Sequence, residues 1–451
     1  FINKEAPRGT QATFWWNDVE YSVLHNPFWG EIEFNTEYDK YQEGGIGAEW
    51  NSGELVQILL TDGDMNLDAR TKDQMKVKAN NTIVPAIKIG SPITLKTVDQ
   101  ILISDAGAAA VTLDENIAVN ACSSDYGAAG TVGSYTSCYE KYSERAIATV
   151  EDNGAAITLA TGDEIRFIYG DGTNQYKSVQ DLKDLIAGAN GTAAYTYIQY
   201  DFRSLNGGSD DSNYFLNFTV GDNEVLSGGT NEAKTYTYAI NSDGEPEFTT
   251  AVLSGAGCEG LIGMCLINSP DQKMRFTSDT SMDVTDDLNV VVGITALNSA
   301  TLDSISAGTS YGLTMDFVTY GQSNDGVSQA DRHNNSIYRF EAKENAVNSN
   351  VYKTEVDYIM LNQLNVNDTL TYNNTKTDFE ENRIIVHQDM TDEDEIRVNY
   401  YDMGADGVET QVADQLAAPT HSGVVEFDND SYKEADTVVV TLTGSDLNTN
   451  P

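Results

Sequence analysis

The chain has 451 residues, enough for two to four domains, and its 40% hydrophobic content with 24 tyrosines is ample to fill β cores, which excludes a disordered chain. Aspartate and glutamate number 70 against 26 lysines and arginines, a formal net charge of −44, and this excludes nucleic acid as a partner, since neutralising phosphates needs clustered cations. No run of about 18 apolar residues occurs, so no transmembrane segment is expected in this piece.

Residues 1–30 form an aromatic-rich segment. Phe14-Trp15-Trp16, Tyr21, Phe28 and Trp29 place three of the four tryptophans there, either to pack on the first sandwich or as a platform for sugar or a neighbouring subunit. A start at Phe1 rather than Met fits removal of a signal peptide.

Residues 31–172 read as a first β-sandwich, with strands expected at Leu55–Leu60, Gln74–Lys78, Ile93–Thr97, Gln100–Ile103, Ile117–Val119, Ala146–Val150, Ile157–Leu159 and Glu164–Tyr169. Ser178–Ile186 is the one clear helix pattern, with Ser178 as N-cap and Gly188 as stop. Strand patterns then resume through residues 173–405, a stretch long enough for two sandwiches, divided between Ser269 and Val351.

Two echoes organise these elements. Glu54–Asp68, ELVQILLTDGDMNLD, returns at Asp436–Asn450 as DTVVVTLTGSDLNTN, so that Asp64-Met65-Asn66 falls on Asp446-Leu447-Asn448. The strand before it returns as well: Gly30-Glu31-Ile32-Glu33-Phe34 resembles Gly423-Val424-Val425-Glu426-Phe427. Residues 421–451 therefore read as the start of a further module, cut in mid-repeat. The second echo, Asp163-Glu164-Ile165-Arg166 with Asp394-Glu395-Ile396-Arg397, reads as a closing strand and puts module boundaries near Gly172 and between Tyr401 and His421. The expected fold class is all-β: tandem immunoglobulin-like β-sandwich domains with loop insertions and one short helix.

The most suggestive ligand pattern is Asp62-x-Asp64-x-Asn66-x-Asp68, whose alternating oxygens in a tight turn suit a structural Ca²⁺. It departs from an EF-hand, because Leu67 stands where that loop needs glycine, so other parts of the fold would have to complete the site. Four cysteines fall into two local pairs, Cys122 with Cys138 and Cys258 with Cys265, whose short spacing favours disulfides closing surface loops. Glycosylation sequons occur at Asn80, Asn190, Asn217, Asn334, Asn367, Asn373 and Asn429, so N-glycans are expected partners of an extracellular chain. No GxSxG, HExxH, P-loop or dinucleotide turn is present, and His25, His333, His387 and His421 show no ligand spacing. A non-catalytic role is expected.

Gly423–Pro451, together with the first copy at Glu54–Asp68, resembles the repeated module opening of the surface-layer (S-layer) proteins of ammonia-oxidising, Nitrosopumilus-like archaea. The resemblance implies a secreted, acidic, glycosylated chain at the cell surface that self-assembles with copies of itself into a porous two-dimensional lattice, commonly with divalent cations. Pores lined by acidic side chains would enrich cations such as ammonium. An archaeal adhesin or filament subunit is the alternative on the same architecture, and a cell-surface hydrolase is a third reading.

Overall fold

The computed structural model describes residues 11–24, 28–37, 50–104, 111–114, 122, 138–149, 164–169, 193–205, 214–222, 234–240, 262–268, 288–296, 309–322, 332–361, 382–387, 389–403 and 409–448. In chain order the strands begin with β1 (Gln11–Trp16), β2 (Val19–Leu24), β3 (Glu31–Asn35), β4 (Val56–Thr61), β5 (Gln74–Met75), β6 (Ala86–Ile89), β7 (Val98–Ser104) and β8 (Val111–Asp114). There follow β9 (Cys138–Tyr139), β10 (Ala146–Thr149), β11 (Glu164–Tyr169), β12 (Ala193–Asp201), β13 (Tyr214–Asp222), β14 (Lys234–Ile240), β15 (Ile262–Asn268) and β16 (Leu288–Ala296). The last are β17 (Ser310–Gln322), β18 (Arg332–Arg339), β19 (Ala342–Glu344), β20 (Val351–Met360), β21 (Asn382–Val386), β22 (Ile396–Met403), β23 (Glu409–Leu416), β24 (Val424–Phe427) and β25 (Val440–Thr443). No α-helix occurs among the described residues, and the chain is all-β. The helix expected at Ser178–Ile186 lies outside them, as do the strands expected at Ile117–Val119 and Ile157–Leu159.

Five sheets result. One has the order β3-β4-β20-β19-β5, with β21 added parallel to β20. A nine-stranded sheet runs β15-β12-β17-β18-β6-β22-β23, with β10 and β9 branching from β17. A third, six-stranded sheet runs β14-β13-β16-β11-β7-β8. The hairpins β1-β2 and β24-β25 stand as separate two-stranded sheets.

The main core lies where the first sheet meets the β6-β22-β23 end of the nine-stranded sheet. Ile32 and Phe34 of β3, Ile58 and Leu60 of β4, and Tyr352, Val356 and Tyr358 of β20 share one buried cluster with Ile87, Val398 and Tyr400. β3 shows why: its exposed and buried residues alternate, putting Ile32 and Phe34 inward and Glu31 and Glu33 outward. Trp50 is fully buried between them, 4.8 Å from the Tyr358 ring and 5.9 Å from that of Phe34.

This core corrects the expected boundary near Gly172. β4 is bonded along its length to β20, some 300 residues on, in the register Val56↔Val356 through Thr61↔Val351, and β6 pairs with both β18 and β22. Residues 31–172 do not form a sandwich of their own, because β4, β5 and β6 find partners on β20, β19, β18 and β22, while β10 pairs with β17 and β11 with β16. The DEIR echo misleads for a related reason. Its first copy, β11, lies between β16 and β7, whereas its second, β22, lies between β6 and β23. A shared tetrapeptide on a strand sets which side chains face alike but says nothing about the neighbouring strand.

Candidate functional site

The repeated hairpin is the feature that the sequence and the fold mark together. β3 pairs with β4 in the register Glu31↔Thr61, Ile32↔Leu60, Glu33↔Leu59 and Phe34↔Ile58. β24 pairs with β25 as Val424↔Thr443, Val425↔Leu442, Glu426↔Thr441 and Phe427↔Val440. Laid over the sequence repeat, the two registers are the same residue for residue. Their surroundings differ. Ile32, Phe34, Ile58 and Leu60 are 1–7% exposed, whereas Val425, Phe427, Val440 and Leu442 are 56–64% exposed.

In the first copy the cover is the closing hairpin β22-β23. Asp402 accepts the Gly30 amide at 2.9 Å, Asp414 accepts the Phe34 amide at 2.8 Å, and the Tyr400 hydroxyl donates to Asp62 at 2.7 Å. Asp62 is 2% exposed, and burial pushes its carboxyl above the ordinary value even though the Tyr400 hydroxyl and the Asp64 and Met65 amides pull the other way. In the second copy the residue at this position is Gly444, which carries no such acceptor.

The turn after each hairpin has a second job. Both carboxylate oxygens of Asp64 accept the Phe28 amide, at 3.3 and 3.2 Å, and both oxygens of Asp446 accept the His421 amide at 3.1 Å. Phe28 and His421 each stand two residues before the glycine that opens the hairpin, Gly30 or Gly423. The recurring aspartate therefore clamps the linker that leads into its own hairpin. Gly63 is glycine for a local reason, since a Cβ there would lie 2.5 Å from the Phe28 ring. The second turn also grips the first module: the Ser52 hydroxyl donates to the Asn448 carbonyl at 2.6 Å, and a Cβ on Gly53, at φ +76°, would strike the Asn448 amide.

The four residues expected to hold a cation lie along this turn, each with protein partners. Asp62 accepts the Asp64 amide at 2.8 Å besides the Tyr400 hydroxyl. The Asn66 amide donates to the Oδ1 atoms of Asn348 and Asn350, both left-handed residues with φ of 57° and 59°. Asp68 takes the Arg70 backbone amide and guanidinium and the Thr71 hydroxyl, and its carboxyl is held below the ordinary value chiefly by that backbone amide. Asp73, outside the expected set, accepts the Leu67 and Asp68 amides and so shapes the loop. Among the described residues no group of three or more His, Cys, Asp or Glu side chains is arranged to hold a metal ion. Among the described residues, Asn66 Oδ1 is a buried acceptor of the turn that meets no donor.

Cys122 and Cys138 form a disulfide, with Cα atoms 4.9 Å apart. The bridge sits beside a buried ionic layer in which Arg145 pairs with Glu140 and donates to the carbonyls of Lys76, Val77, Ala79 and Thr82. Glu144 accepts from Lys88 at 2.6 Å and from Thr94 at 2.9 Å, and Arg339 pairs with the fully buried Asp316. Burial works against the Glu144 charge, but Lys88, Thr94 and Lys96 outweigh it and hold the carboxyl below its ordinary value. Cys258 lies outside the described residues, and Cys265 is on β15 opposite Ile198.

Among the sequons, Asn80 and Asn429 are exposed. Asn334 is half-buried on β18, and its amide donates to the Ile385 carbonyl at 2.6 Å. Asn217 lies on β13, while Asn190, Asn367 and Asn373 fall outside the described residues. An open groove of about 500 Å³ runs over β5, β19 and β20, and its lining alternates Lys76, Lys343 and Lys353 with Glu341 and Glu355, without a histidine, cysteine or serine.

What fold and site define is an all-β chain of several sheets that carries one hairpin twice, once covered and once open. No protein-family model matches the chain, and no curated protein matches it.

Proposed function

We propose that this chain is a non-catalytic structural subunit of an extracellular S-layer, built from immunoglobulin-like β-sandwich modules and assembling with its own copies into a porous lattice whose acidic pores enrich cations such as ammonium. The observation that carries the reading is the hairpin that recurs in identical register at two places in the chain, as the repeated modules of a structural array do. The Cys122–Cys138 bridge fits an oxidising compartment outside the cell. The net charge of −44 supports cation enrichment within narrow gaps, where low-dielectric walls focus the field. Among the described residues no helix is long and apolar enough to cross a membrane.

A structural Ca²⁺ at Asp62, Asp64, Asn66 and Asp68 belongs to this proposal, and it would have to share oxygens that already accept protein hydrogen bonds. A melting temperature unchanged by EGTA would remove it. The adhesin or filament reading draws on the same repeated hairpin. Electron micrographs of the purified, reassembled protein decide between them: sheets are expected, fibres would favour the filament, and particles that never associate would sink both. For the pores, a cationic and an anionic probe of equal size should permeate reassembled sheets at different rates, and equal rates would reduce the acidity to a solubility device.

A further inference from the structure

Cations are scarce in this chain, 26 lysines and arginines against 70 carboxylates, and the interior arginines Arg145, Arg203, Arg339 and Arg383 each pair with a carboxylate. Three lysines break that pattern together. Lys76, Lys343 and Lys353 line the open groove over β5, β19 and β20, and among the described residues none of their ammonium groups pairs with a carboxylate. Lys343 and Lys353 stand directly opposite each other in the β19-β20 register, where like charges destabilise a sheet. Strand alternation puts both on the face turned away from the core, since their neighbours Ala342 and Tyr352 belong to the core cluster. The lining does not neutralise them. Glu341 is engaged by Arg203 at 2.6 Å and by the Val77 amide at 3.1 Å, which leaves Glu355 against three lysines.

The turn before β22 carries the opposite charge. Asp392, Glu393 and Asp394 make up one short 3-10 turn, all three are exposed, and among the described residues none pairs with a cation. Its base is fixed: Asp389 accepts the Thr420 amide at 2.7 Å, and Met390 and Ala418 exchange backbone hydrogen bonds at 3.0 and 2.7 Å. Asp392 is held at φ +56°, a left-handed conformation that an aspartate keeps only where its surroundings impose it. The turn is remote from the groove of its own copy. β21 runs parallel to β20 from Val356↔Asn382 to Met360↔Val386, so the chain enters the turn beyond the Met360 end of β20, and Asp389 lies near enough to the Tyr358 hydroxyl to oppose its ionisation. Lys353 is seven residues back along the same strand, about 23 Å at 3.3 Å per residue. The turn then leads into β22, which packs across the core from the face that carries the lysines.

We infer that the acidic turn Asp392–Asp394 of one copy seats in the groove of Lys76, Lys343 and Lys353 on the next. This rests on the self-assembly reading and names its contact. Charge selects the occupant: two bodies of net charge −44 repel wherever carboxylates face one another, so copies approach where a positive surface meets a negative one. Three carboxylates match three ammonium groups, and the repulsion between Lys343 and Lys353 is relieved when a carboxylate comes between them. The contact joins two different surfaces, so it is heterologous and closes into rings or propagates.

Sedimentation of the full chain with the charge-reversed variants K343E/K353E and D392K/D394K tests this. All four positions are exposed, so both variants should melt like wild type. Wild type should gain mass with concentration, and each variant alone should need at least about tenfold more protein to do so, because like charges then face each other across the contact. D392K/D394K gives the sharper reading. It lowers the net negative charge, so a general electrostatic effect would strengthen its association, whereas loss of this contact weakens it. An equimolar mixture of the two variants should associate like wild type, since the reversed turn fits the reversed groove and the unaltered turn fits the unaltered groove. The neutral variant K343Q/K353Q should weaken association less than K343E/K353E. If wild type and both reversed variants associate alike, the contact is wrong and the self-assembly reading stands. If K343E/K353E loses association while D392K/D394K keeps it, or if the mixture stays monomeric, the turn is not the occupant and the inference is overturned. If wild type remains monomeric at every concentration, both the contact and the self-assembly reading fall.

Discussion

The same substitution in the two copies of the repeat should have very different costs. Leu60 and Leu442 hold equivalent positions, opposite Ile32 and Val425, but Leu60 is 1% exposed and Leu442 is 61% exposed. Leu→Ala removes three carbons. At about 0.8 kcal/mol per buried methylene-sized group, the transfer loss at Leu60 is about 2.4 kcal/mol. The cavity left among Phe34, Tyr352 and Tyr400 raises the expected total to about 3–4 kcal/mol, since close-packed surroundings collapse only partly. At Leu442, with most of the side chain already in water, the expected loss is below about 1 kcal/mol. Urea unfolding of Leu60→Ala and Leu442→Ala, followed by tyrosine and tryptophan fluorescence at a concentration where the chain is monomeric, measures both. Equal midpoints would refute the reasoning, because equal costs require equal burial and hence a covered second hairpin within one chain.

Further outcomes are expected. Asp64→Ala and Asp446→Ala should each cost about 0.5–1.5 kcal/mol, the net worth of the clamp on an accessible amide, and hydrogen exchange should quicken at Phe28 in the first and at His421 in the second, without crossing over. Cys122→Ser should destabilise by up to about 3 kcal/mol through the reopened loop, and peptide mass mapping of the unreduced protein should recover Cys122 joined to Cys138; crossed pairing with Cys258 or Cys265 would contradict the structure. Glu144 is held below its ordinary carboxyl value of 4.5, so the stability it contributes is fully present above that pH and is lost as pH falls through its folded value; Glu144→Gln should flatten this acid limb, as read from melting temperatures between about pH 3 and 6. Asp62 has the opposite sign. Its raised value means that stability is lost as pH rises past the ordinary 3.8 and the buried carboxyl ionises, so Asp62→Asn should relieve that loss while keeping an acceptor for the Asp64 amide.

Much of the local structure was legible in the residues. Alternation in Glu31-Ile32-Glu33-Phe34 and the β-branched run Val56–Thr61 mark strands because side chains on a strand point alternately to its two faces, and those strands formed where the pattern placed them. The repeat between Glu54–Asp68 and Asp436–Asn450 predicted two hairpins of one kind, and their registers coincide because the position of the apolar residues permits only one pairing that puts them on a common face. The aspartate turn was legible as a cluster of oxygens but not as a clamp: an Asp-x-Asn sequence shows that acceptors are present, and only the folded path of the linker brings the amides of Phe28 and His421 to them.

Partner choice was decided by the tertiary structure alone. Nothing in Val56–Thr61 names Val351–Met360 as its neighbour, because backbone hydrogen bonds are the same for every sequence and the selection between strands 300 residues apart rests on how whole faces pack. The boundary expected near Gly172 failed for that reason, and β1, β2 and β23 escaped notice because a short hairpin has little pattern of its own. The same physics separates the two copies of the repeat. Sequence made Val425, Phe427, Val440 and Leu442 apolar on one face, as it did Ile32, Phe34, Ile58 and Leu60, but a face is buried only when another surface is brought against it, and that is a property of the assembled chain and not of the strand.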